Sequence, residues 1–329
     1  MVNRRADLVL EGGGVKGIAL VGAISVLDER GYEFNRIAGT SAGSIVGSLV
    51  AAGCSAAELE AVMRAVDYSK FRDGNLLSHL GLPGQALSVL LETGIYKGNY
   101  LTTWLDEQIG PKGVTTWSDL KLVDPGSALP PERQYKLVVM TSDISNGALR
   151  TLPWDYGALQ VDADTTRVVD GVRASMSIPF FYKPVRLKGR RRATTWFVDG
   201  GMLSNFPITV FDRNDGTRPR WPTFGIKLSA RRGAGQGSRY RVTGALTLAR
   251  AMLGTMTSFY DRMHIDEPSV QARTIFVDTF DVRATDFEID DHTKRRLYDS
   301  GRRAAERFLD GAPGRPAWDW DAYLAAFRA

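Results

Sequence analysis

A serine becomes a nucleophile when a backbone turn exposes its hydroxyl and a base stands within hydrogen-bonding reach. The segment Gly39-Thr40-Ser41-Ala42-Gly43 carries the pattern G-x-S-x-G between a predicted strand and a predicted helix. Small neighbours there permit a strained turn, and the helix N-terminus favours developing negative charge, so Ser41 is a candidate nucleophile. The plainer alternative makes Ser41 a helix cap in a glycine-rich turn. Upstream, Glu11-Gly12-Gly13-Gly14-Val15-Lys16-Gly17 also lies between strand and helix and offers backbone N–H groups, which suit a phosphate or an oxyanion equally well. Gly12, Gly14 and Gly17 satisfy the dinucleotide pattern G-x-G-x-x-G, but a ribose site wants an acidic residue closing the second strand, and Gly39-Thr40-Ser41 stands there instead. An ATP-type loop fails because Ile18-Ala19 occupies the positions that need Lys and Ser or Thr.

The base is the next requirement. The chain has only three histidines, His79, His264 and His292, and none stands in a glycine-rich loop at the end of a strand. Phe197-Val198-Asp199-Gly200-Gly201 does deliver an aspartate from a short strand into two glycines. Asp199 is therefore the best candidate base for Ser41, provided that burial raises its pKa toward neutrality and a fixed hydrogen bond aims it. On its own, Asp-Gly-Gly reads as a turn.

The elements that must position these residues follow from hydrophobic spacing. Residues 6–10 predict a strand, 15–30 a helix closed by Gly31, 36–38 a second strand and 41–52 a second helix, which is the opening of an α/β sheet with parallel strands. Further strands are predicted over 135–140, 195–198, 223–228 and 274–277, and helices over 56–66, 98–109, 167–175, 242–262 and 291–309. Residues 71–94 form a Leu- and Gly-rich insertion, with Leu76, Leu77 and Leu80 among its leucines; it is either a lid over an acyl chain or a pair of small core helices. Residues 124–133 and 213–222 are Pro-, Gly- and charge-rich loops.

Composition narrows the class. With 329 residues, 43% hydrophobic and 24% charged, the chain can bury a sizeable core, and disorder, fibrous repeats and integral membrane proteins are excluded. Cys54 is the sole cysteine, so no internal disulfide forms, and a reducing, cytoplasmic location is expected. The first residues lack a signal-peptide core, and no run approaches the roughly 20 apolar residues of a membrane span. A net charge of +5 is bunched at 188–192, Arg231-Arg232 and Lys294-Arg295-Arg296, as solvated loops and helix faces or as contacts to an anionic membrane surface; no nucleic acid is expected. Trp318, Trp320, Tyr323, Leu324 and Phe327 suggest a terminal helix packed back on the body, the alternative being an exposed membrane anchor.

Taken in order, the glycine loop (Gly12 to Gly17), the G-x-S-x-G elbow (Gly39 to Gly43) and D-G-G (Asp199 to Gly201) resemble the patatin-like phospholipase family. Arg173-Ala174-Ser175-Met176-Ser177-Ile178-Pro179 and Leu203-Ser204-Asn205-Phe206-Pro207 resemble it too. The resemblance implies an α/β, patatin-like three-layer sandwich with a mostly parallel central sheet and helices on both faces. It places the phospholipase domain at 6–210, with 211–329 as a C-terminal extension packed on the same body. It further implies a lipid acyl hydrolase needing no metal or organic cofactor, acting on phospholipids or other glycerolipids at a membrane or micelle surface. Ser41 would be the nucleophile, Asp199 the base, and the amides of Gly12, Gly13 and Gly14 the oxyanion hole. Lys16, Gly17, Gly39, Gly43, Gly200 and Gly201 would support the motifs. Acyl transfer to an alcohol by the same dyad, a nucleotide-binding module and a non-catalytic membrane-surface adaptor are the alternatives.

Overall fold

The computed structural model describes residues 4–74, 93–189, 194–228, 242–244, 247–248, 251–252, 255 and 265–328. Its strands are β1 (Arg4–Leu10), β2 (Tyr32–Thr40), β3 (Gly94–Tyr96), β4 (Leu137–Asp143), β5 (Ala148–Leu152), β6 (Phe180–Tyr182), β7 (Val185–Lys188), β8 (Thr194–Asp199), β9 (Thr223–Lys227) and β10 (Thr274–Phe276). Eight of them form one sheet in the order β10-β9-β1-β2-β4-β8-β7, with β5 alongside β4, while β3 and β6 pair separately. Neighbours from β10 to β4 run parallel; β5 and β8 meet β4, and β7 meets β8, antiparallel.

Alternation of side chains along the strands decides the layering. Leu8, Leu10, Ile37, Leu137 and Val139 point into one core, whereas Val9, Ala38, Val138 and Met140 point into the other. The first core is closed by α1 (Gly17–Glu29), α2 (Ala42–Ala51), α3 (Ala56–Ala65), α4 (Asn99–Ile109) and α5 (Val168–Ser175). On the second face sit Phe206, Ile208 and Phe211 with Val270 from the short α6 (Pro268–Ala272), so the three layers are unequal. Central strands buried on both faces read as continuous apolar runs, which is why the stretches around Leu8 and Val138 were legible.

The C-terminal part enters the same sheet. Strands β9 and β10 extend it beyond β1, and α7 (Asp291–Asp310) packs against α1. Their backbones touch: a side-chain carbon on Gly22 would fall 2.0 Å from the Tyr298 carbonyl, and one on Gly301 2.0 Å from that of Ala19. Trp318 stacks on Phe308 with ring centroids 5.3 Å apart and meets Phe224 edge-on, and Tyr323 of α8 (Trp320–Phe327) is buried. The terminal aromatic group therefore packs on the body, as one of the two expectations had it.

The basic triplet at 294–296 is not wholly a solvated face. Lys294 is buried and donates to the carbonyls of Arg64 and Val66, both at 3.0 Å, closing the C-terminal end of α3. Strand β2 is longer than expected, and β3, β5, β6 and β7 were not foreseen. Most of residues 71–94 and 242–262, including Leu76, Leu77 and Leu80, lies outside the described residues, as do Arg190–Arg192 and Arg231-Arg232. Among the described residues no helix is long and apolar enough to cross a membrane, and no group of three or more His, Cys, Asp or Glu is placed to hold a metal ion.

Candidate active site

Strands β1 and β2 run parallel and end side by side, Leu10 pairing with Gly39, so the two loops that follow them meet above the sheet. After β1, Glu11 is buried in an ion pair with Lys227 and accepts the Leu228 N–H, which ties the glycine loop to the end of β9. Gly12 is held on both sides by Asn205: its N–H donates to the Asn205 carbonyl at 3.1 Å and its own carbonyl accepts from Asn205 Nδ2 at 3.1 Å. Gly14 has φ 57°, and a side chain there would lie 1.9 Å from the Ala284 carbonyl, which accepts the Val15 N–H; only glycine fits. Lys16 Nζ donates to the Leu228 carbonyl at 3.4 Å, and Gly17 opens α1. The Gly13 and Gly14 amides have no acceptor among the described residues.

Ser41 follows β2 with φ 52° and ψ −122°, a left-handed conformation rare for a residue with a side chain and stored only where the surroundings enforce it. The enforcement is visible. The Ser41 N–H donates to Ser175 Oγ at 3.0 Å, its carbonyl accepts from Ser44, and Thr40 Oγ1 donates to the Ser204 carbonyl at 3.1 Å. The flanking glycines are required by close approach, since a side chain on Gly39 would fall 2.3 Å from the Gly43 carbonyl and one on Gly43 2.3 Å from that of Leu10.

Asp199 ends β8, opposite Thr141 of β4. Its N–H donates to the Ser177 carbonyl at 2.9 Å, and Ser142 Oγ donates to its carbonyl at 3.0 Å. The carboxyl accepts the Gly201 N–H at 2.7 Å. Burial pushes it from the ordinary 3.8 up to about 6, outweighing the lowering effect of that N–H and of the nearby Ser41 side chain. Gly200 and Gly201 begin the single 3-10 turn that leads away from it.

Four residues with evident positioning work were quoted in the sequence only as parts of motifs. Ser175 and Ser177 hold the backbones of Ser41 and Asp199, and the guanidinium of Arg173 donates to Ser177 Oγ and to the Lys183 carbonyl. Asn205 holds the glycine loop. The signal available in the sequence was the pair of serines two residues apart at the predicted helix end before Asp199. Of the histidines, His292 is exposed on α7, and His79 and His264 lie outside the described residues.

Ser41 opens on a pocket with apolar walls, to which Ile45, Met63, Phe71, Trp104, Ile178 and Phe287 contribute. The site thus joins a strained serine, a buried carboxylate of raised pKa, free amides and an apolar chamber.

Comparison with known proteins gives the family. The family model described as patatin-like phospholipase matches residues 8–212. The chain is 37% identical over 304 residues to the uncharacterized protein YqhO of Bacillus subtilis, covering 92% of this chain and 97% of that one. It is 49% identical to the lysophospholipase nte1 of Aspergillus niger over 51 residues, 16% of this chain and 3% of that one. Among solved structures it is similar to VipD from Legionella pneumophila, with a TM-score of 0.49 and 17% identity over 92% of this chain and 66% of that one. The chain belongs to the patatin-like phospholipase family and is a lipid acyl hydrolase of the Ser–Asp dyad type.

Proposed function

We propose that Ser41 is the nucleophile and Asp199 the base of this hydrolase, acting on the carboxylic esters of phospholipids or other glycerolipids at a membrane or micelle surface. The observation that carries the assignment is the pairing of a backbone-strained serine with a carboxyl that burial has brought to about 6. Asp199 takes the Ser41 proton as the oxygen attacks the ester carbonyl. The tetrahedral oxyanion is held by the amides of Gly13 and Gly14, because the Gly12 N–H is already engaged by Asn205. Collapse expels the alcohol or lysolipid with the proton returned by Asp199, leaving acyl-Ser41. Water, deprotonated by Asp199, then attacks the acyl-enzyme and frees the fatty acid. The apolar pocket at Ser41 accommodates the acyl chain, and the name lysophospholipase carried by a partial relative supports a lipid ester as substrate. Residues 211–329 complete the same catalytic body.

The test is fatty-acid release from mixed phospholipid and neutral-lipid vesicles, read by mass spectrometry, for wild type, Ser41→Ala and Asp199→Asn. Wild type is expected to release acid, and each variant to lose roughly a thousandfold or more, as members of one catalytic unit do. Retention of more than a few per cent of activity by Ser41→Ala overturns the assignment. If wild type releases nothing yet a fluorophosphonate labels Ser41, the nucleophile stands and the lipid class does not.

A further inference from the structure

The pair Ser204-Asn205 joins the three loops that carry the motifs. Thr40 Oγ1, beside Ser41, donates to the Ser204 carbonyl at 3.1 Å, and the Ser204 N–H donates to the Gly200 carbonyl at 2.8 Å. Asn205 then takes Gly12 from both sides, its carbonyl accepting the Gly12 N–H and its side-chain Nδ2 donating to the Gly12 carbonyl, each at 3.1 Å. The second bond has a geometric consequence. The Gly12 carbonyl and the Gly13 N–H belong to one planar trans peptide group, so they point in opposite directions. Drawing the oxygen toward Asn205 turns the Gly13 N–H to the other side, and this amide has no acceptor among the described residues. Gly12 itself lies against Ser41, since a side-chain carbon on it would fall 3.1 Å from Ser41 Cβ. Both residues flanking the peptide are glycines, so no Cβ opposes a half-turn of it, and a rotated peptide would present a carbonyl oxygen where the N–H now stands. The restraint has to come from outside the loop, and the structure supplies it as the side-chain amide of Asn205.

We propose that Asn205 is a positioning residue of the oxyanion hole, its side-chain amide locking the Gly12–Gly13 peptide in the orientation that aims the Gly13 N–H at the developing oxyanion. The proposal rests on the assignment of Ser41 as nucleophile and of the Gly13 and Gly14 amides as its oxyanion donors. Asn205 does not meet the substrate; it acts through the peptide. The same bond also strengthens the group it aims, because an amide whose carbonyl accepts a hydrogen bond is polarised into a better donor at its N–H. An aspartate in this place would keep the shape of Asn205 but have no hydrogen for the Gly12 carbonyl, and its carboxylate would draw the Gly13 N–H toward itself by rotating the peptide.

The experiment joins kinetics of Asn205→Ala and Asn205→Asp to a direct view of the amides. Variants shown to be folded by circular dichroism are each expected to lose about a hundredfold in kcat on p-nitrophenyl butyrate with little change in KM, as loss of an oxyanion donor does. Gly-Gly pairs occur only at 12–13, 13–14 and 200–201, so protein made with glycine carrying carbon-13 at the carbonyl and nitrogen-15 gives carbonyl-to-amide NMR correlations from Gly13, Gly14 and Gly201 alone. Reaction of Ser41 with a trifluoromethyl ketone, which forms a tetrahedral oxyanion adduct, is expected to move the Gly13 and Gly14 amide protons downfield. In the Asn205 variants the Gly13 shift is expected to disappear and the Gly14 shift to remain, an outcome that a general loosening of the fold does not give. A Gly13 resonance unmoved by the adduct in wild type overturns the inference without any variant, as does a folded Asn205→Ala within about threefold of the wild-type kcat; the dyad stands in both cases. Failure of wild type to form the adduct, with no labelling of Ser41 by a fluorophosphonate, overturns the dyad assignment and the inference with it.

Discussion

Burial brings the Asp199 carboxyl to about 6 where an exposed aspartate titrates near 3.8, and this has opposite consequences for rate and for stability. As a base the group must be ionised, so kcat/KM is expected to rise with pH through about 6 and to level off above it; a pH–rate profile on a soluble ester checks this. Stability runs the other way. A folded-state pKa above the unfolded value means that folding takes up a proton between the two, so the protein loses stability as pH rises from about 4 through about 6. Above that window the cost is roughly 3 kcal/mol for a shift of this size. Asp199→Asn, which keeps an acceptor for the Gly201 N–H, is therefore expected to be inactive yet more stable than wild type at pH near 8, with the gain vanishing near pH 4. Thermal melts across pH measure it, and a variant less stable than wild type at the higher pH would refute it. The type and place of Ser41 and Asp199 were legible in the sequence because chemistry restricts both. The commitment of the Gly12 amide was not, since it depends on Asn205, which lies 193 residues further along the chain.

At the level of elements, strands buried on both faces announced themselves as apolar runs, whereas β5 and β7 did not. Ala148-Leu149-Arg150-Thr151-Leu152 and Val185-Arg186-Leu187-Lys188 are short antiparallel strands with exposed or half-buried charged residues, and their pairing partners are set by the sheet and not by their own composition. Lys294 shows the same limit for helices. A lysine followed by two arginines reads as solvent-facing, but its position on α7 brings the ammonium under the end of α3, where two carbonyls need a donor. Lys294→Met keeps the length and apolar stem but leaves the Arg64 and Val66 carbonyls unsatisfied, with an expected loss of about 2 kcal/mol. Urea denaturation monitored by circular dichroism measures it, and an unchanged midpoint would show that water replaces the ammonium without cost.

The whole molecule is larger than the segment that carries the motifs. The family match ends at residue 212, yet β9 lies directly against β1, β10 lies beyond it, and α7 buries the outer side of α1. Glu11, the residue that leads into the glycine loop, finds its ion-pair partner Lys227 on β9. A fragment ending at residue 212 would expose the long edge of β1, strip Phe224, Ile226, Leu297 and Phe308 from the core, and leave Glu11 without its buried partner. Such a fragment is expected to be insoluble or unfolded and without esterase activity. Recovery of a soluble fragment with a cooperative unfolding transition would instead establish 211–329 as a separable unit.

The proposed nucleophile and base hang from one short piece of chain: Ser41 by its N–H on Ser175, Asp199 by its N–H on Ser177. A single segment of three residues, anchored by Arg173 in the interior, therefore acts as the gauge that sets their separation. The distance between the two groups is set by this segment and not by the side chains that wall the pocket. Substitutions in the pocket walls are therefore expected to change which chains fit while leaving the spacing of Ser41 and Asp199 as it is.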